Sequence, residues 1–112
     1  MAEKIAAFYL KINGYKIIKK NYRPKKGIGA GEVDIIVLKD NVLVFVEVKA
    51  RENEELAAYS ILPEQMKRII RSAEIFLAEN PDMAEYDLRF DAVLMGNMQI
   101  PVHIKDAFRA DF

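Results

Sequence analysis

Residues 31–51, GEVDIIVLKDNVLVFVEVKAR, decide the fold of this chain. Two runs of β-branched and apolar residues, Val33–Leu38 and Val42–Val48, lie on either side of Asp40-Asn41. Such runs around a turn-forming dipeptide predict a β-hairpin. With Asp40-Asn41 as the turn, Lys39 pairs with Val42, and each step away from the turn pairs the next residues on the two strands.

This register brings four charged side chains to one face at the open end of the hairpin. Asp34 lies opposite Glu47 and Glu32 lies opposite Lys49, and alternate residues of a strand share a face. Like charges in directly opposed positions destabilise a strand pair. The pair of carboxylates therefore predicts a bound divalent cation with an ammonium beside it. A solvated strand end with an ordinary ion pair is the alternative.

The hairpin near its turn is apolar on both faces. Ile36 and Phe45 share one face, and Val37 and Val44 share the other. Strands that are apolar on both faces are typical of the centre of a sheet. Carboxylates that begin abruptly on a buried face are costly unless they are paired or bound to a metal, which favours a functional acidic site.

Composition excludes several classes of protein. The chain has 112 residues, 52% of them hydrophobic and 30% charged, as expected for one globular domain spanning residues 1–112. Without cysteine it has neither disulfides nor thiolate metal ligands. No apolar run is long enough for a membrane span and no signal-peptide pattern opens the chain, so we expect a cytoplasmic protein with no membrane partner.

The formal net charge is zero, but the basic residues are unevenly distributed. Residues 11–26 contain no acidic residue, and their basic residues are Lys11, Lys16, Lys19, Lys20, Arg23, Lys25 and Lys26. A basic block of this kind is typical of a phosphate-binding surface. A solvated strand and loop is the alternative.

Hydrophobic periodicity predicts the remaining elements. They are a helix at Ala2–Ile12, a strand at Tyr15–Tyr22, a helix at Pro63–Glu79, a strand at Tyr86–Met95, and a short strand at Ile100–Ile104 before a C-terminal turn. The order α-β-β-β-α-β-β predicts an α/β fold, with a mixed sheet and helices packed on it. On the first helix, the apolar stripe consists of Ile5, Phe8, Tyr9 and Ile12, and Glu3 lies at its flank.

The loop RPKKGIGAG, residues 23–31, leads directly into Glu32. Its glycines allow the backbone to approach a ligand closely, and its lysines suit an anionic ligand. The spacing is not that of a nucleotide-binding Walker loop, and we expect no organic cofactor.

GEVDII followed by VFVEVKAR resembles the PD-(D/E)XK nuclease superfamily, and more specifically the YraN-like family of predicted endonucleases, relatives of Holliday junction resolvases. EKIAAFYLKINGYKIIKKNYR resembles the amino-terminal helix and strand of that family, and RFDAVLM resembles a later strand. The resemblance therefore covers most of the chain. It implies a three-layer restriction-endonuclease-like fold, with a mixed central sheet flanked by helices.

The resemblance also implies roles for individual residues. Asp34 and Glu47 would bind Mg²⁺ or Mn²⁺ together with the carbonyl of Val48, and Lys49 would be the catalytic lysine. Oxygen ligands suit these hard cations. Glu32 would assist the site, and Glu3 matches an acidic residue on the first helix of resolvase-like members. For Glu3, an acid that merely stabilises the start of a helix is the alternative.

The implied activity is metal-dependent hydrolysis of DNA, on branched or recombination intermediates, with a 5′-phosphate product. The expected DNA-binding residues are Lys19, Lys20, Arg23, Lys25, Lys26, Arg51 and Lys67. We expect a homodimer, because resolution of a junction needs two cuts, with Val93 and Ile100 as contact residues. The sole histidine, His103, has no nucleophile near it in the sequence and is expected to be structural.

The chain departs from the family pattern at the second helix. Gln65 stands where a lysine is expected, and the preceding loop lacks the usual glycine. Two alternatives to an endonuclease therefore remain open. One is a nucleic-acid-binding module that does not cut, and the other is a small interaction domain with an incidental charge cluster.

Overall fold

The computed structural model describes residues 1–25, 29–51, 61–96 and 100–110. Two α-helices and five strands follow one another along these residues: α1 (Ala2–Ile12), β1 (Lys16–Tyr22), β2 (Val33–Lys39), β3 (Val42–Ala50), α2 (Pro63–Glu79), β4 (Asp87–Met95) and β5 (Val102–Phe108), with a short 3₁₀ turn at Pro81–Met83. This order is the predicted one. None of the described helices is long and apolar enough to cross a membrane.

The five strands form one mixed sheet in the order β1-β2-β3-β4-β5. Neighbouring strands are antiparallel except β3 and β4, which are parallel. The hairpin register is confirmed, because pairing runs from Lys39 with Val42 to Ile35 with Val46. Asp40 occupies the turn with a φ of 55°, a left-handed conformation that aspartate tolerates better than most residues.

The two helices cover opposite faces of the sheet. On one face, Ala6, Ala7 and Leu10 of α1 pack in a cluster that includes Ile35 and Val46. The other face carries a second cluster, in which Ile69, Ala73 and Phe76 of α2 pack with Ile36 and Phe45. Both faces of the hairpin are therefore buried, as its sequence predicts.

The buried face of α1 differs from the apolar stripe of its sequence. Ile5, Phe8 and Ile12 are 41%, 65% and 67% exposed, whereas Ala6 and Leu10 are wholly buried. Small side chains let a helix backbone approach a sheet more closely than bulky ones do, so the alanine face docks. This orientation places Glu3, which is half-buried, toward the sheet.

The last strand is longer and begins later than predicted. It spans Val102–Phe108 rather than Ile100–Ile104, so the turn that follows it comes later in the chain, at residues 109–110. The apolar alternation breaks at Asp106, whose φ is 56°, but the strand continues to Phe108, which stacks on Phe90 with ring centroids 5.2 Å apart.

The two residues expected at a dimer contact differ in their exposure. Val93 is wholly buried inside the sheet, so the prediction that it contributes a surface contact is wrong. Ile100 is 79% exposed.

A buried carboxylate, Asp91, joins β4 to β5. Asp91 accepts hydrogen bonds of 2.8 Å from both Nε and Nη2 of Arg89, one of 3.0 Å from the backbone N–H of Asp106, and one of 2.7 Å from Nε2 of His103. Burial acts to raise the pKa of Asp91, but the hydrogen bonds from His103 and Arg89 outweigh it and lower that pKa. His103 therefore has the structural position expected of it, on the α1 side of the sheet.

Replacing Asp91 by asparagine should lower the free energy of unfolding by about 3 kcal/mol, because it leaves donors without a charged acceptor in the core. Chemical denaturation measures the change. Asp87→Asn, at an exposed position of the same strand, is the matched control and should be nearly neutral. Equal effects of the two substitutions would contradict this account of β5.

Candidate functional site

A cleft of about 600 Å³ opens where the end of the β2–β3 hairpin meets the first turns of α2. Its walls contain all six residues that the sequence predicts for the catalytic and metal site: Glu3, Glu32, Asp34, Glu47, Val48 and Lys49. The residues come from three parts of the chain, namely α1, the hairpin and the loop before it. The fold therefore brings together side chains that are up to 46 positions apart in sequence.

Three carboxylates form a compact group in this cleft. Glu3, Glu32 and Asp34 each offer one oxygen, and these oxygens all lie within 4.8 Å of one another. Ligand oxygens on opposite sides of a Mg²⁺ ion are about 4 Å apart, since each lies about 2.1 Å from the metal. Carboxylate oxygens are hard ligands, so these donors suit Mg²⁺ or Mn²⁺ better than a softer metal.

Asp34 also connects this group to Glu47. Backbone pairing of the hairpin ends at Ile35 and Val46, and the next residues on the two strands are Asp34 and Glu47. Asp34 Oδ2 accepts a 2.8 Å hydrogen bond from the backbone N–H of Val48. Asp34 and Glu47 are only 8% and 3% exposed, so both carboxylates lie out of water.

The pKa of Glu47 is strongly shifted by this environment. Burial is the largest cause, followed by a hydrogen bond to Asp34 and by the charge of Asp34, and together they raise the pKa of Glu47 to about 9. The charge of Lys49 acts in the opposite direction. Without a metal, Glu47 therefore holds a proton at neutral pH.

Lys49 and Gln65 approach Glu47 from two sides. Lys49 Nζ lies 4.0 Å from Glu47 Oε2, and the lysine side chain is only 16% exposed. Gln65, in the first turn of α2, donates a short hydrogen bond from Nε2 to the same oxygen. The predicted register places Lys49 opposite Glu32. The ion-pair partner of Glu32 is instead Arg23, whose Nη2 lies 3.9 Å from Oε2 of Glu32.

A clamp between the loop and α2 fixes the approach to Glu32. The backbone N–H of Gly31 donates a 2.9 Å hydrogen bond to Oγ of Ser72, whose hydroxyl contacts the carbonyls of Gly31 and Arg68. A Cβ added at Gly31 would lie 3.1 Å from Cβ of Arg68, so a larger residue there requires Arg68 to move by a few tenths of an ångström. The sequence carried a signal for this clamp, a serine on the apolar face of α2.

The basic residues are divided between the rim of the cleft and the neighbouring surface. Arg23 and Arg68 both line the cleft, and Arg68 was not among the expected DNA-binding residues. Lys19, Arg23 and Lys25 line an adjoining cavity of about 450 Å³. Lys20 borders a further cavity that also contains Glu3 and Asp34. The basic strand β1 is thus continuous with the acidic cleft.

The other expected DNA-binding residues lie outside these cavities as far as the structure describes them. Arg51 is exposed just after β3, where its Nη1 donates a 2.7 Å hydrogen bond to the carbonyl of Ala50. Lys67 is exposed on α2. Lys26 lies outside the described residues.

Fold and site together define a mixed α/β protein with a carboxylate cleft at the end of a central hairpin. The model of the uncharacterised protein family UPF0102 matches residues 2–95. A UPF0102 protein of Paramagnetospirillum magneticum is 42% identical over 111 residues, covering 99% of this chain and 86% of the relative. Relatives from Bradyrhizobium diazoefficiens and Rhodopseudomonas palustris are 45% and 43% identical, each over 97% of this chain, and the alignments cover 79% and 82% of the relatives. The chain belongs to the UPF0102 family.

The raised pKa of Glu47 makes the stability of the metal-free protein depend on pH. An unfolded glutamate ionises near pH ~4.3, whereas the folded pKa of Glu47 is about 9. The folded state keeps a proton that the unfolded state releases, so this contribution to the free energy of unfolding is complete below the unfolded pKa. It falls as the pH rises toward the folded pKa, by up to about 1.4 kcal/mol per pH unit.

Urea unfolding in EDTA at several pH values between about 5 and 8 measures this slope. Glu47→Gln is the control, because glutamine keeps the shape and does not titrate. The wild type should lose stability with rising pH relative to this variant. Parallel pH profiles for the two proteins would contradict a protonated, buried Glu47.

Proposed function

We propose that this protein is a metal-dependent DNA endonuclease with a restriction-endonuclease-like fold. The observation that carries the proposal is the convergence of two buried carboxylates, Asp34 and Glu47, with a largely buried lysine, Lys49, at the end of one hairpin. A surface ion pair has no need of such burial, and taking these charges out of water is costly without a compensating ligand. A carboxylate whose pKa is shifted, as that of Glu47 is, is typical of a catalytic cleft.

Asp34 and Glu47 would hold a Mg²⁺ or Mn²⁺ ion, together with the carbonyl of Val48. Glu3 and Glu32 contribute the remaining carboxylates of the group, whose oxygens lie within 4.8 Å of those of Asp34. When bound, the ion supplies Lewis acidity at the phosphate and lowers the pKa of a bound water. Displacement of the proton from Glu47 accompanies binding, because the ligand form of a carboxylate is ionised.

Lys49 is the group that we assign to the reacting phosphate. Its Nζ is anchored 4.0 Å from Glu47 and lines the cleft. An ammonium held there orients the attacking water and stabilises the negative charge that develops on the phosphate oxygens.

The basic surface supports DNA as the substrate despite a net charge of zero. Affinity for a phosphate backbone depends on local charge, and β1 carries Lys19 and Lys20 next to Arg23 and Lys25. Arg23 belongs both to this surface and to the cleft. A DNA strand that lies along the basic surface would therefore reach the carboxylates. We include branched and recombination intermediates among the proposed substrates.

A nucleic-acid-binding module that does not cut is the second candidate function. The observation that favours it is the hydrogen bond from Gln65 to Glu47, because an amide supplies no positive charge where the family resemblance implies a lysine. Incubation of labelled linear and branched DNA with Mn²⁺ distinguishes the two functions. Cleavage supports the nuclease, and salt-sensitive binding without cleavage supports the module.

Lys49→Ala and Glu47→Gln should each lower the cleavage rate by at least about a hundredfold, since each removes a charge that the reaction needs. DNA binding, measured by fluorescence anisotropy, should remain close to that of the wild type because the basic surface is unchanged. Lys105→Ala removes an exposed lysine from β5 and is the matched control. Undiminished Mn²⁺-dependent cutting by the first two variants would overturn the assignment of the site.

Asp34→Asn should make the metal-free protein slightly more stable, by about 1 kcal/mol or less, because it removes the charge of a largely buried carboxylate beside Glu47. The same substitution should abolish most of the stabilisation that saturating Mn²⁺ gives the wild type. Thermal melts of both proteins in EDTA and in Mn²⁺ test this. If the melting temperature of the wild type is the same in EDTA and in Mn²⁺, the proposed site is contradicted.

A further inference from the structure

Asn21 adopts an unusual backbone conformation beside the acidic cleft. Its φ is 51°, in the left-handed region that most side chains avoid and asparagine tolerates. It lies between Lys20, which pairs with Ile35, and Tyr22, which pairs with Val33. The residue of β2 between those two partners is Asp34, so Asn21 is the neighbour of Asp34 on the side opposite Glu47.

The side chain of Asn21 makes one strong contact. Its Nδ2 donates a 2.6 Å hydrogen bond to Oε1 of Glu3. Glu3 belongs to the first turn of α1, and the first fully buried residue of that helix is Ala6. The hydrogen bond from Asn21 holds the Glu3 carboxylate near Glu32 and Asp34.

We propose that Asn21 is a positioning residue for the metal group and acts through Glu3. This inference rests on the proposed function, because it assigns Glu3 to the binding of Mg²⁺ or Mn²⁺. Asn21 has a left-handed backbone and its side-chain amide reaches Glu3 on α1. An amide donor leaves the other oxygen of Glu3 free for the metal, and partners of this kind orient ligands in many metal sites.

Asn21→Gly removes the side-chain amide but retains the left-handed backbone conformation. Glycine adopts positive φ without strain, so this variant should melt at or above the temperature of the wild type. Its affinity for Mn²⁺, measured by isothermal titration calorimetry, should fall by about tenfold. Asp40→Gly is the matched control, since Asp40 has a φ of 55° at the far end of the hairpin, and it should leave the affinity unchanged.

A second variant and a double mutant complete the test. Asn21→Asp keeps the conformational preference but replaces the donor with a charge that repels Glu3, and it should weaken Mn²⁺ binding at least as much as glycine does. Glu3→Gln should also weaken binding. Adding Asn21→Gly to Glu3→Gln should have no further effect if Asn21 acts through Glu3.

The outcomes separate this inference from the function on which it rests. Full Mn²⁺ affinity in Asn21→Gly, or a loss that persists undiminished in the Glu3→Gln background, would overturn the positioning role alone. A wild type that binds Mn²⁺ without cutting DNA would overturn the nuclease, while the affinity series would still support the role of Asn21. A wild type that takes up no Mn²⁺ would overturn both.

Discussion

The meeting of Asp34 and Glu47 at the end of a buried hairpin is the constraint on which the rest of the site depends. Each carboxylate lies out of water, and the apolar pairs behind them prevent either strand from shifting. In the metal-free protein, a proton on Glu47 removes one of the two charges. A backbone N–H donates a hydrogen bond to Asp34, Gln65 donates one to Glu47, and the ammonium of Lys49 lies near Glu47. A divalent cation would meet this constraint more completely, because it neutralises both charges at once.

The remainder of the fold serves to bring distant residues to this point. The alanine face of α1 lets the helix lie close to the sheet, which carries Glu3 to the cleft. The hydrogen bonds between Gly31 and Ser72 hold the preceding loop against α2 and deliver Glu32. Such positioning by rigid elements limits the entropy lost when a ligand binds.

The sequence predicted the hairpin well because its register depends on local features, the turn at Asp40-Asn41 and the apolar runs beside it. It predicted the buried face of α1 only in part. Tyr9 packs against the core, but Phe8 is exposed because small side chains allow the helix to dock closely. The contact of Gln65 with Glu47 depends on where α2 meets the sheet, which periodicity does not specify. The residue pattern of β1 gives no indication of the positive φ of Asn21.

The central claim is that the facing carboxylates form a metal site. The most direct test is X-ray diffraction from crystals soaked in Mn²⁺, with data collected near the manganese absorption edge. We expect an anomalous difference peak in contact with carboxylate oxygens of Asp34 and Glu47. A map that shows no such peak at saturating Mn²⁺, with Glu47 still hydrogen-bonded to Gln65, would contradict the claim.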